Sequence, residues 1–189
     1  MEDIFKNVTG YFTLMAFDAE DNLVDKYEEK NMIMSSAQSI MGRRLAGLNA
    51  RYLNKFVLGT KGHKNAGLSN ADILTPKGEE EGFVPTRTEL FSEEDNDFTY
   101  PILFRITEAT GTGIIDSEIN SGSSVSVSET EDGIRYRFSI PTGAANGSGI
   151  NIFTEAALYS NDEIFSMKCF KGKIKDSAVR FLIYWDIKF

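Results

Sequence analysis

The closing stretch of the chain alternates strictly. Val179, Phe181, Ile183, Trp185, Ile187 and Phe189 fall on one side, and Arg180, Asp186 and Lys188 on the other. A period of two, with β-branched and aromatic residues on one side, predicts a half-buried strand. It is the last of three consecutive strands expected over residues 150–189. Further upstream, Ile134, Tyr136, Phe138 and Ile140 alternate with Arg135, Arg137 and Ser139, and residues 123–129 precede them across Thr130-Glu131-Asp132-Gly133. That pattern predicts a hairpin with one wet face. Near the front, residues 11–17 and 23–27 flank the turn-forming Asp18-Ala19-Glu20-Asp21-Asn22 and predict another hairpin. Short strands are expected at 55–58, 86–91 and 98–107, where Pro101 argues for an edge or a bulge.

The period changes once. After Ser35 and Ser36, which can cap a helix, Ala37, Ile40, Met41, Leu45 and Leu48 form one stripe of a short amphipathic helix near residues 35–48, with Gly47 as its stop. Residues 61–82 hold Gly, Asn, Ser and Pro and end in Glu79-Glu80-Glu81, the composition of a surface excursion, whose length points to an interaction role or to order gained on assembly. Roughly ten short strands and one helix predict a mainly β chain. The expected architecture is an antiparallel, jelly-roll-like sandwich spanning 1–189 as a single domain.

Charge and cysteine content narrow the partners. The chain carries a formal charge of −8 with a pI near 4.8. Phosphate backbones and anionic membrane surfaces repel such a field, so neither nucleic acid nor membrane is expected as a partner. The densest run of bases, Lys168, Lys171, Lys173 and Lys175, reads as lysines blunting an exposed strand edge. The single Cys169 fits a reducing compartment and a small strand position. Met1-Glu2-Asp3 carries the wrong charge for a signal peptide, and no apolar run is long enough to span a bilayer.

Catalytic and metal constellations fail on their chemistry. His63 sits in a Gly/Lys loop with no nucleophile elbow, and one His with one Cys cannot build a zinc site. After Gly62 and Gly67, Leu68-Ser69 stands where a phosphate-binding loop needs Lys-Ser/Thr. Glu93-Glu94-Asp95-Asn96-Asp97 lacks the spaced ligands and glycine of a calcium loop. No cofactor, metal or catalytic residue is therefore expected.

Five residues remain as candidate subunit contacts. Glu155 interrupts the apolar run Ile152 to Leu158, either as an outward charge or as a carboxylate pinned by backbone N–H groups or a basic partner at a subunit contact. Tyr159 and Tyr184 lie off the main apolar stripe, either exposed or meeting a second layer, while His63 and Lys64 belong to the excursion. Tyr136 and Trp185 alternate with core neighbours and are expected inside.

The chain also resembles a family of small tailed-bacteriophage virion proteins. The matching pattern is Thr154-Glu155-Ala156-Ala157-Leu158-Tyr159, the turn Ser160-Asn161-Asp162-Glu163, then Ile164-Phe165-Ser166-Met167-Lys168-Cys169-Phe170. Lys173-Ile174-Lys175-Asp176 and the closing Leu182-Ile183-Tyr184-Trp185-Asp186-Ile187-Lys188-Phe189 complete it. The family pattern has Glu-x-Gly-Leu, and Ala157 stands where its glycine would be. The resemblance implies a non-enzymatic structural component of a virion, in the tail, baseplate, neck or fibre-attachment region. It implies a homo-oligomer or ring, touching other virion proteins and copies of itself, assembled in the bacterial host cytoplasm. Two alternatives stand beside it: a carbohydrate-binding module for host or glycan recognition, and a capsid decoration protein.

Overall fold

The computed structural model describes residues 8–48, 53–64, 74–94, 102–106, 113–115, 122–145 and 151–189. They form a mainly β structure whose ten strands are all paired antiparallel. In chain order these are β1 (Thr9–Phe17), β2 (Leu23–Ile33), β3 (Lys55–Gly59), β4 (Ile102–Ile106), β5 (Gly113–Ile115), β6 (Ser124–Thr130), β7 (Gly133–Ile140), β8 (Asn151–Ser160), β9 (Glu163–Lys175) and β10 (Arg180–Lys188). Two helices accompany them, α1 (Ser36–Leu45) and the single turn α2 (Phe91–Glu94).

The spatial order is β5-β4-β3-β8-β9-β2-β1-β10-β7-β6. Its midpoint is thin, because β2 and β9 share just Met32↔Met167 and Ile33↔Ser166. There the sheet folds over, so that β2-β1-β10-β7-β6 faces β5-β4-β3-β8-β9 as a sandwich. Aromatic rings cross the interior. Phe56 of β3 stacks on Phe138 of β7 at 4.0 Å and meets Trp185 of β10 edge-on at 5.7 Å. Phe12 of β1 stacks on Phe170 of β9 at 5.1 Å, and Phe153 of β8 meets Phe181 of β10 at 6.3 Å. Offset and edge-to-face pairs at these spacings add to the area each ring hides from water.

The alternation of β10 follows from this. Phe181, Ile183, Trp185 and Ile187 are buried, while Tyr184, Asp186 and Lys188 face outward. The indole N–H of Trp185 still needs an acceptor. Asn31 supplies one: its side-chain oxygen, in the orientation its neighbours require, accepts from Trp185 Nε1 at 2.6 Å while its nitrogen donates to the Gly10 carbonyl at 3.1 Å. Gly10 has no room for a side chain, since a Cβ there would overlap the Asn31 amide.

Helix α1 is shorter in effect than its stripe. Ala37 and Ile40 are buried, but Leu45 and Leu48 stay exposed, because the last turn runs past the sandwich. Ser35 makes no side-chain cap; the Ser36 hydroxyl instead bonds the Ile164 carbonyl and ties the helix to β9. Gly47 does stop the helix. With φ at 66°, its N–H reaches the Arg44 carbonyl and the Leu48 N–H reaches Arg43, the paired bonds of a Schellman end.

Four expectations change. Residues 86–91 are no strand; Leu90, Phe91 and Ser92 turn inward as a buried plug and lead into α2. β4 lies between β3 and β5 rather than at an edge, and Pro101 falls outside the described residues. Phe189, placed by the alternation on the buried side of the last strand, is exposed just past the end of β10. The lysines of β9 do not blunt an edge. Lys168 and Lys173 are buried along their stems and reach Glu29 and Asp25 of β2, each at 2.6 Å, bridging the gap where the strands splay.

Lys175 is buried at the end of β9, its Nζ donating to the Asp176 carbonyl at 2.9 Å and to the Thr142 carbonyl at 3.3 Å. Desolvation pushes its pKa down to about 8 from 10.5. Between these values the unfolded chain binds the proton that the folded chain has released, so this group makes stability rise with pH from about 8 to 10.5. Lys175→Met removes that dependence. In urea unfolding, its stability relative to the parent is expected to be highest at pH 7 and to fall toward pH 10; a difference flat in pH would contradict the burial cost.

Candidate functional site

β8 is covered on both faces, which explains its nearly unbroken apolar sequence. Phe153, Ala156 and Leu158 point into the sandwich, while Ala157 and Tyr159 join Val57, Met167, Cys169, Leu90 and Phe91 in a second cluster on the outer side. Residues 74–94 form the cover. A register shift between Phe153 and Glu155 turns Glu155 to that outer side, under the cover.

Glu155 is fully buried, and its carboxylate is the fastening point. Oε2 accepts from the Phe91 N–H at 2.9 Å; Oε1 accepts from the Ser92 N–H at 2.8 Å and the Ser92 hydroxyl at 2.5 Å. Ser92 Oγ in turn accepts from the Thr60 N–H at 2.9 Å and the Lys61 N–H at 3.2 Å. Burial pushes the pKa of Glu155 up, against the pull of the Ser92 and Phe91 hydrogen bonds. The chain passes so close here that Gly62 must be glycine: a Cβ would sit 2.6 Å from the Thr154 carbonyl oxygen, while its N–H bonds Thr154 Oγ1 at 3.0 Å.

The rest of the cover is pinned by similar means. The Tyr159 hydroxyl donates to Glu93 Oε2 at 2.5 Å, and the Leu90 N–H bonds the same oxygen. Lys77 Nζ lies 3.7 Å and the Arg87 guanidinium 3.5 Å from the Phe91 ring centre, and Arg87 also pairs with Glu94. Desolvation raises the Tyr159 hydroxyl and the Cys169 thiol, so both stay neutral and unreactive.

The opposite layer presents a different surface. The outward residues of β2, β1, β10 and β7 stand in register as rows across the strands. One row is Glu28, Thr13, Tyr184 and Arg137; the next is Lys30, Tyr11, Asp186 and Arg135. Six of these eight, with Met15, Lys26 and Lys188, line an open groove of about 400 Å³; Lys30 and Arg137 stand in the same rows beside it. Arg135 grips Asp186 through two bonds of 2.6 and 2.7 Å and lies 5.0 Å from the Tyr184 ring centre. Lys30 and Lys188 stand 5.9 and 5.8 Å from the Tyr11 ring centre.

The five candidate contacts therefore separate. Of the two readings of Glu155, the pinned carboxylate describes the structure, but its partners belong to its own chain and it offers no surface to a neighbouring subunit. Tyr159 is corrected in the same way: it is 1% exposed, sealed by the cover. Tyr184 is partly exposed in the groove. His63 and Lys64 lie at the base of the excursion, where His63 bridges Pro76, the Lys64 N–H bonds the Thr75 carbonyl, and Lys64 Nζ pairs with Glu81 at 2.9 Å. The described part of 61–82 is thus a clasp on the sheet, with residues 65–73 outside the described set.

Sequence reasoning missed the groove. Arg135 and Asp186 are separable from core positions by alternation, but their meeting with Tyr11 depends on β10 pairing with both β1 and β7. No protein-family model, curated protein or solved structure matches the chain.

Proposed function

We propose that this chain is a non-enzymatic structural protein of a tailed-bacteriophage virion, working through protein–protein contacts in a multimeric assembly. The resemblance of residues 154–189 to such proteins motivates the reading. The observation that carries it is the division of labour in the fold. Glu155, Ser92, Glu93 and Tyr159 are spent on locking a cover to one layer, while the other layer holds out a four-strand face of charged and aromatic side chains. A broad, open, polar face on a rigid sandwich suits contact with another protein surface. Sedimentation of the purified full-length chain tests this: a defined multimer at micromolar concentration is the expected result. A monomer at every concentration would overturn self-assembly.

The second reading, a carbohydrate-binding module, draws on Tyr11 and Tyr184 in the same groove as Arg135 and Asp186. Cations already stand over both rings, which disfavours sugar stacking there. Glycan-array binding that is lost in Tyr184→Ala would reverse the preference.

A further inference from the structure

The groove face and the cover carry opposite charge and lie on opposite layers of the sandwich. On the face, Lys26, Lys30, Arg135, Arg137 and Lys188 outnumber Glu28 and Asp186, within a chain whose net charge is −8. Asp186 is taken by Arg135 and Glu28 by Lys26, and Lys188 reaches Asp132 at the rim. Among the described residues no carboxylate pairs with Lys30 or Arg137, which flank Tyr11 and Tyr184 in their rows. The face thus has basic charge to spare.

The cover has the complement. Its single 3-10 turn Glu79–Glu81, closed by Gly82 at φ 84°, stands out from the clasp with Glu79 and Glu80 exposed. Among the described residues, Glu81 alone of the three is held, by Lys64 and by the Gly78 N–H. The turn is fastened, through Gly62 and the Glu155 weld, to the β3-β8-β9 layer. The groove belongs to β2-β1-β10-β7, so one molecule cannot bring the two together.

We infer that the basic face of β2-β1-β10-β7, with Lys30 and Arg137 beside its groove, is the docking site for the acidic Glu79–Glu81 turn of a second copy of this chain. The inference rests on the multimeric reading above and gives it a contact. Because socket and plug are different patches, the interface is heterologous and runs head to tail, the arrangement that yields a ring when its rotation closes. Lys30 and Arg137 meet Glu79 and Glu80, with Tyr11 and Tyr184 as the floor. Charge pairs at an open face steer and register the contact and weaken with salt.

The test uses the full chain with charge reversals at groups that make no ion pair among the described residues. Lys30→Glu/Arg137→Glu removes the socket and Glu79→Lys/Glu80→Lys the plug, and circular dichroism confirms that each double variant folds. Sedimentation equilibrium is then run at 50 and 500 mM NaCl. The parent is expected to associate at least roughly tenfold more weakly at the higher salt. Each variant alone is expected to be monomeric. A variant carrying all four reversals is expected to associate again, because its reversed socket faces a reversed plug. If both double variants assemble like the parent, the contact lies elsewhere and this inference falls, while the multimeric reading stands. A parent chain that stays monomeric at 50 mM NaCl would remove both.

Discussion

Glu155→Gln is expected to lower the unfolding free energy of the monomer by about 3 kcal/mol in urea unfolding, without help from any partner. The carboxylate receives three donors on two oxygens: the Phe91 N–H, the Ser92 N–H and the Ser92 hydroxyl. A glutamine of the same size has one oxygen and one NH₂ group. Whichever way the amide turns, a donor faces a donor inside a dry site. Hydrogen bonds to charged groups contribute about 1.5–3 kcal/mol each, and a buried donor left without its acceptor costs about 1–3 kcal/mol. The loss reaches further than one bond, because Ser92 Oγ also holds the Thr60 and Lys61 amides. Limited proteolysis is expected to cut the variant first within residues 74–94, the segment the carboxylate fastens. A variant as stable as the parent would show that apolar packing of Leu90 and Phe91 holds the cover by itself.

Phe56→Ala is the larger loss, about 3–5 kcal/mol, the range for truncating a fully buried aromatic side chain. Phe56 is wholly buried on β3, yet its ring partners are Phe138 and Trp185 of the facing layer. Its removal empties the space between the layers rather than a spot within one of them. The near-ultraviolet circular dichroism of Trp185, the single tryptophan, is expected to weaken in the same variant. Leu48→Ala is the control: that side chain is exposed and its loss is expected to stay within about 0.5 kcal/mol. Equal stability of the two variants would mean that the halves of the sheet do not stack through Phe56.

Local pattern and long-range pairing differ in how far the sequence reveals them. The 133–140 and 180–188 alternations are legible because each strand has one wet and one dry face, and period two records that, although Phe189 continues the period and is exposed. The Thr130-to-Gly133 turn is legible from its own residues, and so is the Gly47 stop. β8 reveals its strand but not its surroundings, since burial on both faces erases the period. Residues 86–91 mislead because Leu90 and Phe91 satisfy a strand pattern and a buried plug equally well. Glu155 shows as an anomaly in sequence, but its partners lie more than sixty positions away and act through backbone N–H groups, which leave no residue signature. The β9 lysines look like edge guards until β2 is known to run beside them with Asp25 and Glu29. The groove is hidden for the same reason: alternation assigns Arg135 and Asp186 to outer faces, and strand order alone brings them to one face with Tyr11.

The proposed virion role rests on this division between a fastened cover and an offered face. The proposed virion role is most directly tested by quantitative mass spectrometry of gradient-purified particles of any phage whose genome encodes this chain. The account predicts the chain in the particles at a fixed copy number relative to the other structural proteins. Particles that form and infect normally without a trace of it would contradict the account.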